Sequence, residues 1–173
     1  MNSGMSIERV DNRLGVLFVC LGNICRSPMA KGLFLHLIQQ RGVADQFDVD
    51  SCGTGHWHAG RPADPRTAQT LRERNVPLEH IARVVAPGTD FQRFHYILAM
   101  DRKNLRDLLN LGADPVRTRL MMSFDPSLDK DSHVPDVPDP YSGGYDGFTR
   151  VHDMLLSACE GLLRDALARR SER

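Results

Sequence analysis

A short apolar run near the start of the chain constrains the fold more than any other segment. It reads Leu14-Gly15-Val16-Leu17-Phe18-Val19. A strand with one solvent-exposed face would alternate apolar and polar side chains, whereas this run is apolar at nearly every position. The pattern therefore predicts a strand buried on both faces, which is typical of parallel sheets covered by helices.

The segments that follow alternate between helix and strand patterns. Pro28 suits the first position of a helix whose apolar residues recur at helical spacing until Gly42. Further strands are predicted at 47–51, at 95–100 and, from a weaker pattern, at 117–124. Further helices are predicted after Asp64-Pro65, around Leu105–Leu109, and from Phe148 to the charged C-terminus.

This alternation predicts the α/β class: a single-domain doubly wound sheet of about four parallel strands, with helices on both faces. The chain of 173 residues fits one domain, which we expect to span residues 14–173 after a flexible tail at 1–13. Ligands of such sheets bind beyond the carboxyl ends of the strands, so the loop after the first strand is the first place to look for a site.

Charge and hydropathy exclude several classes of protein. The chain carries 22 Lys and Arg residues against 22 Asp and Glu, a net charge of zero, which argues against nucleic-acid binding through a basic field. No run approaches the ~18 apolar residues of a membrane span, and polar residues stand where a secretory signal would be apolar. We therefore expect a cytoplasmic protein that binds neither nucleic acid nor membrane.

The four cysteines, at positions 20, 25, 52 and 159, are too few and too irregular for a disulfide framework. No Cys and His spacing indicates a zinc site, and we interpret His56-Trp57-His58 as loop residues rather than metal ligands. The sequence thus predicts neither a metal nor a cofactor. The presence of Cys20 and Cys25 close together therefore has to be explained by something other than a disulfide framework or a zinc site.

The loop after the first strand is Cys20-Leu21-Gly22-Asn23-Ile24-Cys25-Arg26-Ser27-Pro28. A Cys-x5-Arg spacing alone proves little, but Ser next to Arg, a buried strand before and a helix after make the conjunction specific. A loop that enters a helix N-terminus can point its backbone N–H groups inward, and the helix dipole also favours negative charge there. The pattern predicts a cradle for a phosphate-sized dianion.

The side chains of this loop suit a nucleophilic phosphate site. Arg26 can clamp two phosphate oxygens, and the same positive field favours the reactive thiolate form of Cys20. Ser27 could donate a hydrogen bond to that sulfur, and Gly22 and Asn23 tolerate left-handed backbone angles. The structural alternative is a buried strand-end cysteine beside a surface arginine.

At these residues the chain resembles the low-molecular-weight protein tyrosine phosphatases of bacterial type, whose signature is Cys-x4-Cys-Arg-Ser-Pro after the first strand. Asp139-Pro140-Tyr141 resembles the family's general-acid loop. The resemblance implies hydrolysis of phosphotyrosine in proteins and of small aryl phosphates, with Cys20 as nucleophile, Arg26 as phosphate clamp and Asp139 as acid. It also implies a phosphocysteine intermediate.

The resemblance assigns further residues to the site. Those that contact phosphate or substrate would be Leu21, Gly22, Asn23, Ile24, Cys25, Ser27, Trp57 and Tyr141. Ser51 and His80 would belong to a polar network that fixes the loop, and Trp57 and Tyr141 would pack against an aromatic ring. Partners would be phosphotyrosine-containing proteins, and we expect a monomer.

Each assignment has a plainer alternative. Asp139-Pro140 is a common turn dipeptide, Ser51 could end a strand, and His80 could be a satisfied loop histidine. Trp57 could belong to the core. Asp101 precedes a predicted helix, and we interpret it as an N-cap.

Two other functions use similar chemistry. A thioredoxin-coupled arsenate reductase shares this fold and loop but needs two further cysteines after the third strand, and residues 82–110 contain none. A catalytically silent phosphate-binding module would usually lack the nucleophile or the acid.

The position of Cys25 predicts that the loop is sensitive to oxidation. It follows Cys20 by five residues in a loop that must curl, so a disulfide could form after peroxide converts Cys20 to a sulfenic acid. The alternative is that Cys25 only packs beneath the loop.

Overall fold

The structure, a computed structural model, describes residues 11–129 and 131–172. Most of the predicted tail, residues 1–10, lies outside the described residues. The strands are β1 (Leu14–Cys20), β2 (Phe47–Gly53), β3 (Tyr96–Ala99) and β4 (Thr118–Leu120). The helices are α1 (Arg26–Gln40), α2 (Pro65–Arg72), α3 (Pro87–Arg93), α4 (Arg102–Asn110) and α5 (Tyr145–Ser171). None of the helices in these ranges is long and apolar enough to cross a membrane.

The four strands form one parallel sheet in the order β2-β1-β3-β4. In this sheet Val16 of β1 lies between Val49 of β2 and Tyr96 of β3. All seven residues of β1 are buried, as the continuous apolar run predicts. The predicted doubly wound parallel sheet is therefore confirmed.

Side chains that alternate along β1 face two separate apolar layers. Val16 and Phe18 pack with α1 and α5, where Phe34 and Phe148 are fully buried. Leu17 and Val19 pack on the opposite face with the segments that hold α3 and α4. Burying one such side chain stabilises the fold by about 1.5–3 kcal/mol, so both layers anchor β1 firmly.

The structure differs from the sequence predictions at three places. Helix α1 begins at Arg26, so Pro28 is its third residue, which is tolerated because the first N–H groups of a helix have no intrahelical partner. Strand β4 has three residues and continues as a 3-10 turn, Met121–Phe124. Helix α3, seven residues long, was not predicted, because it is too short to show a helical period.

The connections from β1 place the loop after it at the edge where ligands bind. The chain passes from β1 to β2 on one side and later returns to β3 on the other. Strands whose neighbours lie in opposite directions leave a crevice beyond their carboxyl ends. The loop between β1 and α1 lies in this crevice.

Candidate active site

The loop from Cys20 to Arg26, here called the phosphate loop, curls because its carbonyl groups are held on the outside. The carbonyls of Cys20, Leu21 and Ile24 accept hydrogen bonds from the N–H groups of Thr54, Gly55 and Asp64 at 3.0, 2.8 and 2.8 Å. Since these carbonyls face outward, the loop amides turn toward its centre, at the N-terminus of α1. This arrangement suits an anion.

Glycine is needed beneath the loop. A Cβ atom on Gly53 would lie 2.7 Å from the Leu21 carbonyl oxygen and 3.2 Å from the Asn23 nitrogen. The predicted left-handed backbone is found at Asn23, with φ of 57°, but not at Gly22. That expectation was wrong for Gly22, where close packing is the reason for glycine: a Cβ there would lie 2.9 Å from His58 Cδ2.

Asn23 fixes the loop from below, and it is fully buried. Its Nδ2 donates to Ser27 Oγ and Ser51 Oγ at 2.8 and 3.0 Å, and its Oδ1 accepts from the Arg83 N–H at 2.9 Å. Its own N–H donates to Cys20 Sγ at 3.3 Å. Each polar atom of the side chain thus has a partner, and this holds a backbone conformation that costs other residues roughly 1–2 kcal/mol.

The sulfur of Cys20 is buried and receives hydrogen bonds. Ser27 Oγ lies 2.9 Å from Cys20 Sγ. Ser27 Oγ accepts from Asn23, and its own proton can point at the sulfur or at the more distant Cys52 carbonyl, 3.5 Å away. The Asn23 N–H is a second donor to the same sulfur, at 3.3 Å.

His80 closes the network as a neutral imidazole. Its Nδ1 lies 3.1 Å from Lys31 Nζ and accepts from that ammonium, so its Nε2 carries the proton and donates to the Asn23 carbonyl at 2.7 Å. Burial, together with the nearby Lys31 charge, lowers the pKa of His80. The placement of His80 agrees with the network role; Lys31 was not singled out in the sequence.

Arg26 is buried, and one edge of its guanidinium is bound by the protein. Its Nη1 donates to Asp101 Oδ2 at 2.7 Å and to the Val137 carbonyl at 3.0 Å. Its Nε has no hydrogen-bond partner among the described residues, and its Nη2 is 3.7 Å from Asp139 Oδ2. The Nε and Nη2 edge is therefore available for two oxygens of one phosphoryl group.

Asp101 does more than the predicted N-cap role. Its Oδ1 accepts from the Asn104 N–H at 2.8 Å, which confirms the cap of α4, while Oδ2 holds Arg26. One signal could have found this pair: Asp101 comes soon after β3, at the same sheet edge where β1 ends. Parallel strands bring such residues together.

The phosphate loop forms the floor of a cavity of about 240 Å³. It is lined by Cys20, Leu21, Gly22, Ile24, Cys25, Arg26, Trp57, His58, Asp139 and Tyr141. Asn23 and Ser27, predicted to contact phosphate, do not line this cavity, and their side chains are buried with that of Ser51. His58, interpreted from the sequence as a loop residue, belongs to the lining, and its ring lies 5.8 Å from that of Tyr141.

Asp139 enters this cavity from the segment before α5, and its side chain is 48% exposed. Its Oδ1 accepts from the Tyr141 N–H at 3.1 Å. The rings of Trp57 and Tyr141 stand at the rim, 64% and 50% exposed.

All four cysteines are free and buried. Burial raises the pKa of Cys25 to about 12 and also raises those of Cys52 and Cys159. Among the described ranges no group of three or more His, Cys, Asp and Glu side chains is placed to hold a metal ion.

A parallel α/β sheet whose first strand ends in a cysteine, followed by a curled loop and a buried arginine, is typical of cysteine-dependent phosphatases. The family described as low molecular weight phosphotyrosine protein phosphatase matches residues 15–173. The chain belongs to this family, and it is a hydrolase that cleaves phosphotyrosine. The predicted family and activity are confirmed, and neither the arsenate reductase nor the silent module is favoured.

Individual relatives are similar to this chain in sequence and fold, although one of them is named for a different substrate. The low molecular weight protein-tyrosine phosphatase A of Mycobacterium tuberculosis is 43% identical over 149 residues, which cover 86% of this chain and 89% of that protein. A protein tyrosine phosphatase from Entamoeba histolytica has a crystal structure similar at a TM-score of 0.83, with 36% identity over 91% of this chain and 99% of that one. A Drosophila arginine phosphatase has a TM-score of 0.78, with 32% identity over 87% and 96% of the two chains.

Proposed function

We propose that Cys20 is the nucleophile of a two-step hydrolysis of phosphotyrosine. In the first step the Cys20 thiolate attacks phosphorus in line, a sulfur–phosphorus bond forms, and the bond from phosphorus to the phenolic oxygen breaks. The Ser27 hydroxyl and the Asn23 N–H, both within hydrogen-bond distance of the sulfur, support the thiolate before attack.

Arg26 and the loop amides stabilise the charge on the equatorial phosphoryl oxygens. Asp101 and the Val137 carbonyl hold Nη1, which leaves the Nε and Nη2 edge of Arg26 for the phosphoryl group. Charge that is positioned before the reaction needs no reorganisation as the transition state forms. This single observation, a buried arginine with one edge bound and the other free beside Cys20, carries the proposal.

Asp139 gives its proton to the departing phenolic oxygen. Its carboxyl lines the same cavity as Cys20 and Arg26. In the second step Asp139 accepts a proton from water, which attacks phosphorus and releases Cys20 and inorganic phosphate.

The family implies phosphoprotein substrates, and Trp57, His58 and Tyr141 provide an aromatic wall for a tyrosine ring. We further assign the activity to one domain at residues 14–173, acting as a cytoplasmic monomer on phosphotyrosine proteins, without nucleic acid or membrane. The balanced charge of the chain supports the absence of nucleic-acid binding.

The nucleophile is tested by Cys20→Ser, with Cys159→Ser as a matched control because Cys159 is also buried but does not line the cavity. We expect Cys20→Ser to bind vanadate but to lose at least about 10³-fold in kcat/KM for p-nitrophenyl phosphate, since an alcohol does not supply the anion at neutral pH. Wild-type activity should persist in EDTA. A Cys20→Ser enzyme that kept a tenth of its activity would contradict the assignment.

The substrate is tested by comparing a phosphotyrosine peptide with a matched phosphoarginine peptide. The arginine phosphatase among the structural relatives makes this the most informative competitor. We expect a higher kcat/KM for the phosphotyrosine peptide because the ring stacks at the rim. Preference for phosphoarginine would overturn the proposed substrate while leaving the roles of Cys20 and Arg26 intact.

A further inference from the structure

We propose that Arg66 is a positioning residue that holds the general acid, and that Asp64 and Arg66 together join the acid segment, residues 139–143, to the phosphate loop. This inference rests on the proposed role of Asp139. Arg66 does not line the cavity and was not singled out in the sequence. It therefore acts through the backbone that carries Asp139.

Asp64 attaches this pair to the phosphate loop. Its backbone N–H donates to the Ile24 carbonyl at 2.8 Å, and in the next turn Thr67 Oγ1 donates to the Cys25 carbonyl at 3.4 Å. Asp64 is also the N-cap of α2, accepting from the Arg66 N–H at 2.8 Å. The first turn of α2 is thus fixed to the loop that binds phosphate.

The carboxylate of Asp64 orients the guanidinium of Arg66. Arg66 Nε lies 3.1 Å from Asp64 Oδ1, and Nη2 lies 2.9 Å from Oδ2, in a two-pronged pair. Although partial burial opposes ionisation of Asp64, the hydrogen bonds from Arg66 hold its pKa below the usual range. The pair therefore stays charged at neutral pH, and it fixes the plane of the guanidinium.

The remaining edge of Arg66 binds the acid segment. Nη2 donates to the Tyr141 carbonyl and Nη1 to the Gly143 carbonyl, each at 2.9 Å. The Tyr141 residue held in this way is the one whose N–H donates to Asp139 Oδ1. A continuous set of hydrogen bonds therefore runs from the Ile24 carbonyl through Asp64, Arg66 and Tyr141 to the acid.

Aromatic contacts keep Arg66 in this position. Its guanidinium carbon lies 4.4 Å from the centre of the Phe148 ring and 5.9 Å from that of Tyr141. Phe148 is fully buried at the start of α5, so it is a firm platform for the charged group. Without Arg66, the exposed segment between Val137 and α5 would lose its two side-chain hydrogen bonds from α2.

Loss of this restraint has a specific kinetic signature. A displaced acid slows the departure of a poor leaving group, whereas a phenolate of low pKa departs without a proton. A misplacement of about 1 Å can cost about 10²-fold. Binding of phosphate itself should not change, because Cys20, Arg26 and the loop amides remain in place.

The variants are Arg66→Met, which keeps an apolar stem on Phe148, and Arg66→Lys, which keeps the charge without the fork. Asp64→Asn tests the anchor while preserving its backbone N–H. Arg72→Met is the control, since Arg72 is an exposed residue of the same helix. We measure kcat/KM for phenyl phosphate and for 2,4-dinitrophenyl phosphate, vanadate inhibition and the free energy of unfolding.

We expect Arg66→Met and Arg66→Lys to lose roughly 10–100-fold with phenyl phosphate but under about 3-fold with 2,4-dinitrophenyl phosphate, with vanadate inhibition unchanged. Asp64→Asn should show the same pattern with a smaller loss. When Asp139→Asn is already present, adding Arg66→Met should lower kcat/KM for phenyl phosphate by less than about a further 3-fold, because both changes impair the same proton transfer.

Equal losses on the two substrates, or a full additional loss in the Asp139→Asn background, would overturn the role of Arg66. The role of Asp139 is judged separately: if Asp139→Asn alone affected both substrates equally, the general-acid proposal itself would fail.

Discussion

The floor and the rim of the cavity are built in opposite ways. On the floor, Asn23 and Arg26 are buried and bound by the side chains and carbonyls of several elements. At the rim, Asp139 and Trp57 are 48% and 64% exposed, and the Asp139 carboxylate is held mainly by the neighbouring Tyr141 N–H.

The difference follows from what each region has to do. The floor stabilises charge on a phosphoryl group that is the same in every substrate, so fixed donors are an advantage. The rim has to admit an aromatic ring, release a phenol and then admit water. Changes on the floor should therefore affect all substrates alike, whereas changes at the rim should depend on the leaving group or on the ring.

The largest effect is expected from Arg26→Lys. A lysine cannot present two parallel N–H donors or keep the bonds to Asp101 and the Val137 carbonyl, so we expect kcat/KM for aryl phosphates to fall by at least about 10³-fold. Arg61→Lys, at an exposed position, is the control. A loss below tenfold, about 1.4 kcal/mol, would show that the floor does not need the arginine fork.

A smaller loss is expected from Asn23→Ala. It removes buried hydrogen bonds to Ser27, Ser51 and Arg83, so we expect unfolding to become easier by on the order of 3 kcal/mol and kcat/KM to fall about 10–100-fold. Asn75→Ala is a matched control, because Asn75 has a similar left-handed φ of 59° but is exposed. If both variants lost the same unfolding free energy and kcat/KM, the effect of Asn23 would come from its left-handed backbone and not from its hydrogen bonds.

Burial of Cys25 on the floor should also control the rate at which a Cys20–Cys25 disulfide forms. Attack on a Cys20 sulfenic acid requires the Cys25 thiolate, and desolvation raises the pKa of Cys25 to about 12. The thiolate fraction therefore grows as pH rises toward that value, so disulfide formation should accelerate about tenfold per pH unit between pH 6 and pH 9.

This is measured by brief peroxide treatment, removal of peroxide with catalase, and peptide mapping of Cys20–Cys25 at each pH. Cys25→Ser is the control. A rate that does not change with pH would contradict the buried-thiol account, and the absence of the bond would mean that Cys25 only packs.

The smallest effect is expected from Trp57→Ala. In the proposed function Trp57 contacts the ring of the substrate and none of the reacting groups, so we expect KM for a phosphotyrosine peptide to rise about 3–10-fold while kcat stays nearly constant. Val116→Ala, another exposed apolar position away from the cavity, should change neither constant. A large fall in kcat would mean that Trp57 helps to position the reacting groups, and the rim would then resemble the floor.

Local patterns predicted the parts of the site that are continuous in sequence. The apolar run of β1, the Cys20-x5-Arg26 spacing and the capping residue Asp64 each carry their information within a few residues. Resemblance to the family added Asp139, which lies far along the chain. The sequence therefore singled out the three residues that we propose as nucleophile, phosphate clamp and general acid.

The contacts that position these groups could not be predicted in the same way. Arg26 with Asp101 and Arg66 with Tyr141 join residues separated by about 75 positions, and His80 meets Lys31 across 49. Such pairs depend on strand order and helix placement, and among these three only the Arg26–Asp101 pair has a signal in the sequence, the position of Asp101 just after β3. Residues that act directly in the chemistry were thus easier to find than those that hold them.

The difference between floor and rim is tested most directly with substrates whose leaving groups differ in pKa. We would measure kcat/KM for substituted phenyl phosphates with wild type, Asn23→Ala and Asp139→Asn, because kcat/KM includes the step in which the phenol departs. The account predicts a line for Asn23→Ala that is lower than and parallel to wild type. For Asp139→Asn it predicts a steeper line, with a loss of roughly 10²–10⁴-fold for phenyl phosphate that shrinks as the leaving group becomes more acidic. A line for Asp139→Asn parallel to wild type, or a steep line for Asn23→Ala, would contradict it.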